Sequence, residues 1–188
     1  GQRIKIITSS DPSNIDYTEY GIKDALLIDS TGAFRDEEKL SLHLKSKGVS
    51  KVLLTAPAKG DLPNIVYGVN HKDFDPTSTQ IFSAASCTTN AVVPVLKVVY
   101  ENFGISTGHI ETVHAFTNDQ NLVDNFHKAD RRGRSAPMNM VITETGADKA
   151  VAKVLPPLAG KLTGNAVRVP TPDVSLAILN VTVKKDTS

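Results

Sequence analysis

A single cysteine stands in this chain of 188 residues, within the run Ser86-Cys87-Thr88-Thr89-Asn90. Its thiolate is a nucleophile toward carbonyl carbon, and an imidazole within reach can take the thiol proton. The chain offers an imidazole in His114, inside Thr112-Val113-His114-Ala115-Phe116-Thr117. A Cys/His pair serves covalent oxidation of an aldehyde or hydrolysis of an amide or ester, and the two residue types do not choose between them. The plain alternatives are a cysteine that packs as a small hydrophobe and a histidine satisfied within a strand.

The elements around these residues favour their meeting. Residues 81–85 read as a buried strand, and Val92, Val95, Leu96, Val99 and Phe103 then recur at helical spacing. Cys87 falls at the junction, where free N–H groups and the positive end of the helix dipole favour a thiolate, and Thr88 or Thr89 can cap the helix. A helix of about fifteen residues, closed at Gly104 and followed by a returning strand, can bring His114 back over the helix N-terminus.

Along the rest of the chain, residues 3–8 alternate as a strand, residues 10–14 are a turn cluster, and residues 25–28 form an apolar strand. After the turn Asp29-Ser30-Thr31-Gly32 comes a helix in which Leu40, His43 and Leu44 share a face, before Gly48. Strands are expected again at 51–55, 65–69 and 80–85. Short apolar strands with an intervening helix imply a parallel α/β sheet, in which ligands bind beyond the carboxyl ends of strands. Ser30-Thr31-Gly32 and Thr55-Ala56-Pro57 are then either the rim of such a cleft or ordinary tight turns. From residue 110 onward longer strands are expected at 110–117, 138–143, 166–169 and 174–183, with one helix over 147–159 closed by Gly160. That half reads as α+β with a mixed or antiparallel sheet. Residues 118–136 form a polar connection long enough to be functional, and within it residues 127–134 are a basic run without interleaved aromatics.

Composition narrows the field. Twenty-one basic against 20 acidic residues leave a net charge of +1, so no global field points to nucleic acid or a membrane, and any anion site must be local. One cysteine makes no internal disulfide, no segment reads as a membrane span or signal peptide, and no metal site is expected. A reducing cytoplasm is the expected location.

Four motifs in order carry a resemblance: residues 84–90, residues 113–117, the turn Glu144-Thr145-Gly146-Ala147, and Val167-Arg168-Val169-Pro170-Thr171-Pro172. Together they resemble the glyceraldehyde-3-phosphate dehydrogenase family over essentially the whole chain. No G-x-G-x-x-G occurs, so the chain resembles an internal stretch of that family, without its pyrophosphate-binding turn. The resemblance implies an α/β fold class. Residues 1–85 are expected to be the later part of a Rossmann-like, NAD-binding parallel sheet, and residues 86–188 part of an α+β catalytic domain with a mixed or antiparallel sheet.

It also implies roles. Cys87 is the nucleophile that carries a thioester and His114 the base. Thr117 and Arg168 hold the substrate phosphate, and Ser86, Thr88, Thr145 and Gly146 hold inorganic phosphate. Ser30, Thr31, Gly32 and Thr55 run beside NAD, with NADP also open. Glu144 stands where the family usually has serine, which sets a carboxylate beside that second anion site. The implied reaction is the phosphorylating oxidation of glyceraldehyde 3-phosphate, in glycolysis or gluconeogenesis. Another phosphorylated aldehyde such as erythrose 4-phosphate, or a role limited to binding and assembly, stays open. The implied assembly is a homo-oligomer, a tetramer by resemblance, with residues 127–134 against a neighbouring copy. Lacking the glycine-rich turn, these residues alone are expected not to oxidise aldehydes, and residues 174–183 to expose a strand edge.

Overall fold

The apolar runs of the first half pair as parallel strands in a computed structural model that describes residues 3–143 and 145–187. By internal contacts the chain forms two compact units. One holds the described residues up to Val66 together with Asn70–Ser86, and the other holds Tyr67–Val69 and the described residues from Cys87 onward.

In the first unit β1 (Ala25–Asp29), β2 (Val49–Leu54) and β3 (Ile81–Ser83) form a parallel sheet in that order. The helix α1 (Glu37–Leu44) links β1 to β2; Asp36 caps it by accepting the Lys39 N–H at 3.0 Å. Its inward face buries Leu40 and His43, and Leu40, Val52, Leu54 and Ile81 lie at the centre of the core. A fully buried side chain of this kind stabilises the fold by about 1.5–3 kcal/mol. Two expected strands do not form. Residues 3–8 carry the alternation but have no ladder partner among the described residues, and Ile4 and Ile6 stand 87% and 83% exposed. At 65–69 only an isolated bridge, Asn64 to Ser83, pairs with the sheet, and the Asn70 side chain takes the Val66 N–H at 2.8 Å, so the backbone leaves the ladder for a turn.

The second unit opens with α2 (Cys87–Phe103), whose buried residues include Val92, Val93 and Leu96. Cys87 is the first helical residue, so Thr88 and Thr89 lie within the first turn and not at the cap. Gly104, in the left-handed region at φ 68°, reverses the chain into β4 (Ile105–Ala115). With β5 (Val141–Thr143), β6 (Leu162–Val169) and β7 (Leu176–Val183) it makes a sheet of order β5-β6-β4-β7. The sheet is mixed: β4 runs parallel to β6, while β7 on β4 and β5 on β6 are antiparallel. Gly108 is required at the centre of β4, because a Cβ there would meet Leu162 Cδ2 at 2.8 Å and the Asn180 carbonyl at 3.1 Å. The helix α3 (Ala147–Val154) is shorter than its sequence pattern, since Pro156 and Pro157 lack the donors to continue it and begin a separate 3-10 turn. Among the described residues no helix is long and apolar enough to cross a membrane.

Residues 118–136 have no regular structure but are bound to themselves. Asn125 N–H donates to the Gly133 carbonyl at 2.9 Å, Ala136 N–H to the Asn121 carbonyl at 2.9 Å, and Asp124 accepts from the Ser135 N–H at 2.7 Å. The basic run is drawn into this framework through Arg134–Asp124 and Arg132–Asp119 ion pairs.

Candidate active site

The site is set by register before any side chain is considered. In the parallel β4/β6 ladder His114 lies directly opposite Arg168, each one residue from the carboxyl end of its strand, so both side chains leave the same face. At the start of α2 Cys87 is exposed, and its Sγ lies 3.6 Å from His114 Nε2. The helix and the strand that follows it thus bring the pair together.

On the other side of the ring Nδ1 lies 2.7 Å from the Ala115 carbonyl, to which Arg168 Nη1 also donates at 3.0 Å. A carbonyl oxygen has two lone pairs and can accept both bonds. That sharing explains the 3.0 Å separation of Arg168 Nη1 from His114 Nδ1, a contact between two donors that converge on one acceptor. With its proton on Nδ1 the neutral ring turns a bare Nε2 toward sulfur, the form able to take the thiol proton.

Arg168 reaches further, donating from Nη1 to Thr117 Oγ1 at 3.3 Å, and the Thr117 hydroxyl donates in turn to Asp119 Oδ1 at 2.6 Å. Asp119 Oδ2 is taken by Arg132 Nη1, and Arg132 also donates from Nε and Nη2 to Thr143 Oγ1 at 3.2 and 3.0 Å. Burial pushes the Arg168 guanidinium below its ordinary value, opposed by Asp119, reinforced by Arg132 and opposed again by Cys87. An arginine so placed keeps its charge.

A cavity of about 400 Å³ is lined by Cys87, Thr88, His114 and Thr117, with Phe116 and Val174 among its apolar walls. Thr88 Oγ1 lies 4.0 Å from Cys87 Sγ. Thr145 and Gly146 do not line it: they stand just before α3, Gly146 at its N-cap, and Thr145 Oγ1 accepts the Ala147 N–H at 3.2 Å. Glu144, the residue that departs from the family pattern, lies outside the described residues. Ser86 closes the first unit, immediately before the cysteine. Neither Asp119 nor Arg132 was singled out by sequence reasoning as a site residue. The spacing Thr117-x-Asp119, a common side-chain turn pairing, was the available signal.

The four residues expected beside the cofactor gather at the carboxyl ends of β1 and β2. Thr31 donates its N–H and hydroxyl to Asp29 Oδ1 at 2.8 and 2.7 Å, and Thr55 donates both its N–H and its hydroxyl to the Asp29 carbonyl at 3.0 and 3.2 Å. Ser30 is exposed, and Gly32 turns the chain at φ 72°. Asp29 is buried beside His43 Nε2 at 3.0 Å. The helix that follows is ill suited to cradle a pyrophosphate: its first turn carries Glu37 and Glu38, and the Asp36 carboxylate at its cap already takes the Lys39 N–H. The described residues therefore do not fit a whole dinucleotide.

Comparison with known proteins agrees with the motifs. Residues 86–188 match the family described as glyceraldehyde 3-phosphate dehydrogenase, C-terminal domain. The whole chain is 63% identical to a glyceraldehyde-3-phosphate dehydrogenase-like protein of Pseudomonas aeruginosa (strain UCBPP-PA14), of which it covers 41%. It is 48% identical over 187 residues to chloroplastic glyceraldehyde-3-phosphate dehydrogenase A of Zea mays, covering all of this chain and 45% of that protein. Against glyceraldehyde-3-phosphate dehydrogenase of Zymomonas mobilis it is 46% identical over 189 residues, covering all of this chain and 55% of that protein. The chain thus spans about half the length of these relatives. Motif order, the mixed sheet and the matched C-terminal domain converge on one conclusion: the chain belongs to the glyceraldehyde-3-phosphate dehydrogenase family.

Proposed function

We propose that the whole protein oxidises glyceraldehyde 3-phosphate to an acyl phosphate, with Cys87 as nucleophile and His114 as general base. The observation that carries this reading is the line from Cys87 Sγ through the His114 ring to Arg168 and Thr117, a nucleophile, a base and an anion fork in sequence. Cys87 thiolate attacks the aldehyde carbon, a C–S bond forms, and the carbonyl oxygen takes a proton from His114 Nε2. His114 then accepts the hydroxyl proton as that carbon is oxidised. Oxidation is the chemistry of a nicotinamide cofactor, NAD or NADP, whose pyrophosphate cradle these residues do not supply. Inorganic phosphate attacks the thioester carbon, the C–S bond breaks, and the thiolate returns as the acyl phosphate leaves. Thr88, beside the sulfur, is assigned to that phosphate together with Ser86, Thr145 and Gly146; Arg168 and Thr117 are assigned to the phosphate of the substrate.

For assembly we propose a homo-oligomer that uses the loop of residues 118–136, which exposes Leu122, Val123 and Phe126, the last 89% accessible, beside exposed Met138 and Met140. The reduced state that an exposed thiol nucleophile needs supports a cytoplasmic or equally reducing location.

Arg168→Ala in the whole protein tests the assignment. Loss of a charged hydrogen-bond partner costs about 1.5–3 kcal/mol, so KM for glyceraldehyde 3-phosphate rises roughly 10–150-fold while that for glyceraldehyde changes little. Equal losses on the two aldehydes, measured by steady-state kinetics, would refute it.

A further inference from the structure

Four described non-glycine residues lie in the left-handed region, Asp24, Ala85, Arg131 and Val174, and of these only Val174, at φ 63°, is β-branched. A branched side chain there is an outlier that persists only where its surroundings impose it. The hold is visible on both sides. Val174 N–H donates to Asp173 Oδ1 at 2.8 Å, and Ser175 Oγ accepts the Ala115 N–H at 3.0 Å, one step before the β7 ladder begins with Leu176 opposite Val113. Burial does not offset the strain, since Val174 stands 80% exposed. What the conformation achieves is placement: Val174 lines the cavity of about 400 Å³ that Cys87, His114 and Thr117 also line.

We propose that Val174 determines specificity for the length of the aldehyde: it is a stiff apolar wall of the Cys87/His114 cavity that favours a three-carbon chain over a four-carbon one. This rests on the function proposed above. The aldehyde carbon has to meet Cys87 Sγ while the phosphate is assigned to Arg168 and Thr117, so the carbons between them are confined between two fixed ends, and one more carbon has to bow out against a wall. Two methyl groups on Cβ restrict χ1, so the valine does not fold aside, and its backbone is tied through Asp173 before it and Ser175 after it. Glycine would adopt φ 63° without steric cost, so a valine here answers to what its side chain does and not to what the turn needs. One methylene more or less against an apolar wall changes kcat/KM by roughly 10–200-fold.

Steady-state kinetics of Val174→Ala in the whole protein test this. The kcat/KM for erythrose 4-phosphate, taken relative to that for glyceraldehyde 3-phosphate, is expected to rise about 10-fold or more. Val174→Gly, which removes the wall and relieves the backbone together, should show the same rise, and serves where the alanine variant does not fold. A ratio that is unchanged because both aldehydes gain or lose alike, or a ratio that falls, overturns the proposal. If the unsubstituted protein oxidises neither aldehyde, the functional reading has failed, and alkylation of Cys87 followed by mass spectrometry then decides whether Val174 walls the cavity. The rate with a bulky N-aryl iodoacetamide, relative to iodoacetamide itself, should rise about 10-fold in Val174→Ala, which supports the wall. An unchanged rate ratio overturns it.

Discussion

At the scale of single residues the sulfur and the imidazole are held in different ways. Cys87 is exposed at a helix start, whereas His114 is fixed through Nδ1 to a carbonyl of its own strand and through Nε2 to sulfur. Removing the ring leaves the thiol without a proton acceptor. His114→Ala is therefore expected to slow alkylation of Cys87 by iodoacetamide at neutral pH at least about 10-fold, as general-base assistance commonly contributes 10²–10⁴-fold. Labelling rates followed by mass spectrometry measure this, and equal rates would separate the pair chemically despite their 3.6 Å spacing. His114 and Arg168 were visible in the sequence because each sits in a distinctive motif. Asp119 was marked only by its spacing from Thr117, and its ion pair with Arg132, 13 residues further on, exists only once the loop has folded.

At the scale of elements the connection of residues 118–136 is held by backbone approaches that tolerate no side chain. A Cβ on Gly133 would lie 2.5 Å from the Asn125 carbonyl, against backbone that is itself bonded to Gly133. Gly133→Ala should destabilise the protein by about 1–3 kcal/mol through this overpacking and should shift Arg132 and with it Asp119. Thermal unfolding checks the first effect and KM for the phosphorylated aldehyde the second; a variant with wild-type values in both would show that the loop yields freely. Apolar runs and helical spacing made β1, β2, α2 and β4 legible, since Val52, Leu54, Val92, Val93, Leu96 and Ile110 are buried, although Leu26 and Ile28 on β1 stand exposed. Residues 3–8 and 65–69 misled because alternation specifies a face and not a partner; a strand exists only where another strand accepts its hydrogen bonds. The end of α3 was misplaced because helical spacing continues through two prolines that its backbone cannot follow.

At the scale of the whole molecule each compact unit keeps a carboxylate depressed below its ordinary range. In the first unit burial pushes the Asp29 carboxyl up, but bonds from Thr31 and His43 outweigh it; in the second Asp119 is held down by Thr117 and two arginines against its burial. Both groups bind protons more readily unfolded than folded, so the stability they contribute is complete above about pH 4 and is lost as pH falls through their depressed values. Melting temperatures recorded from pH 6 down to pH 3 should be level at first and then fall, and Asp29→Asn should flatten the acid limb; an identical limb in the variant would remove Asp29 from the account. The mixed sheet was expected from its strands, but the ladder that pairs His114 with Arg168 could not be read from sequence, because register depends on how two distant segments meet. That ladder makes the spacing of base and anion fork a discrete quantity. Sliding β4 by one residue along β6 would turn the imidazole through to the opposite face, and a slide of two would restore the face but carry the ring roughly 6–7 Å from the guanidinium. Gradual drift cannot retune such a site; insertions or deletions within residues 108–115 should abolish it outright.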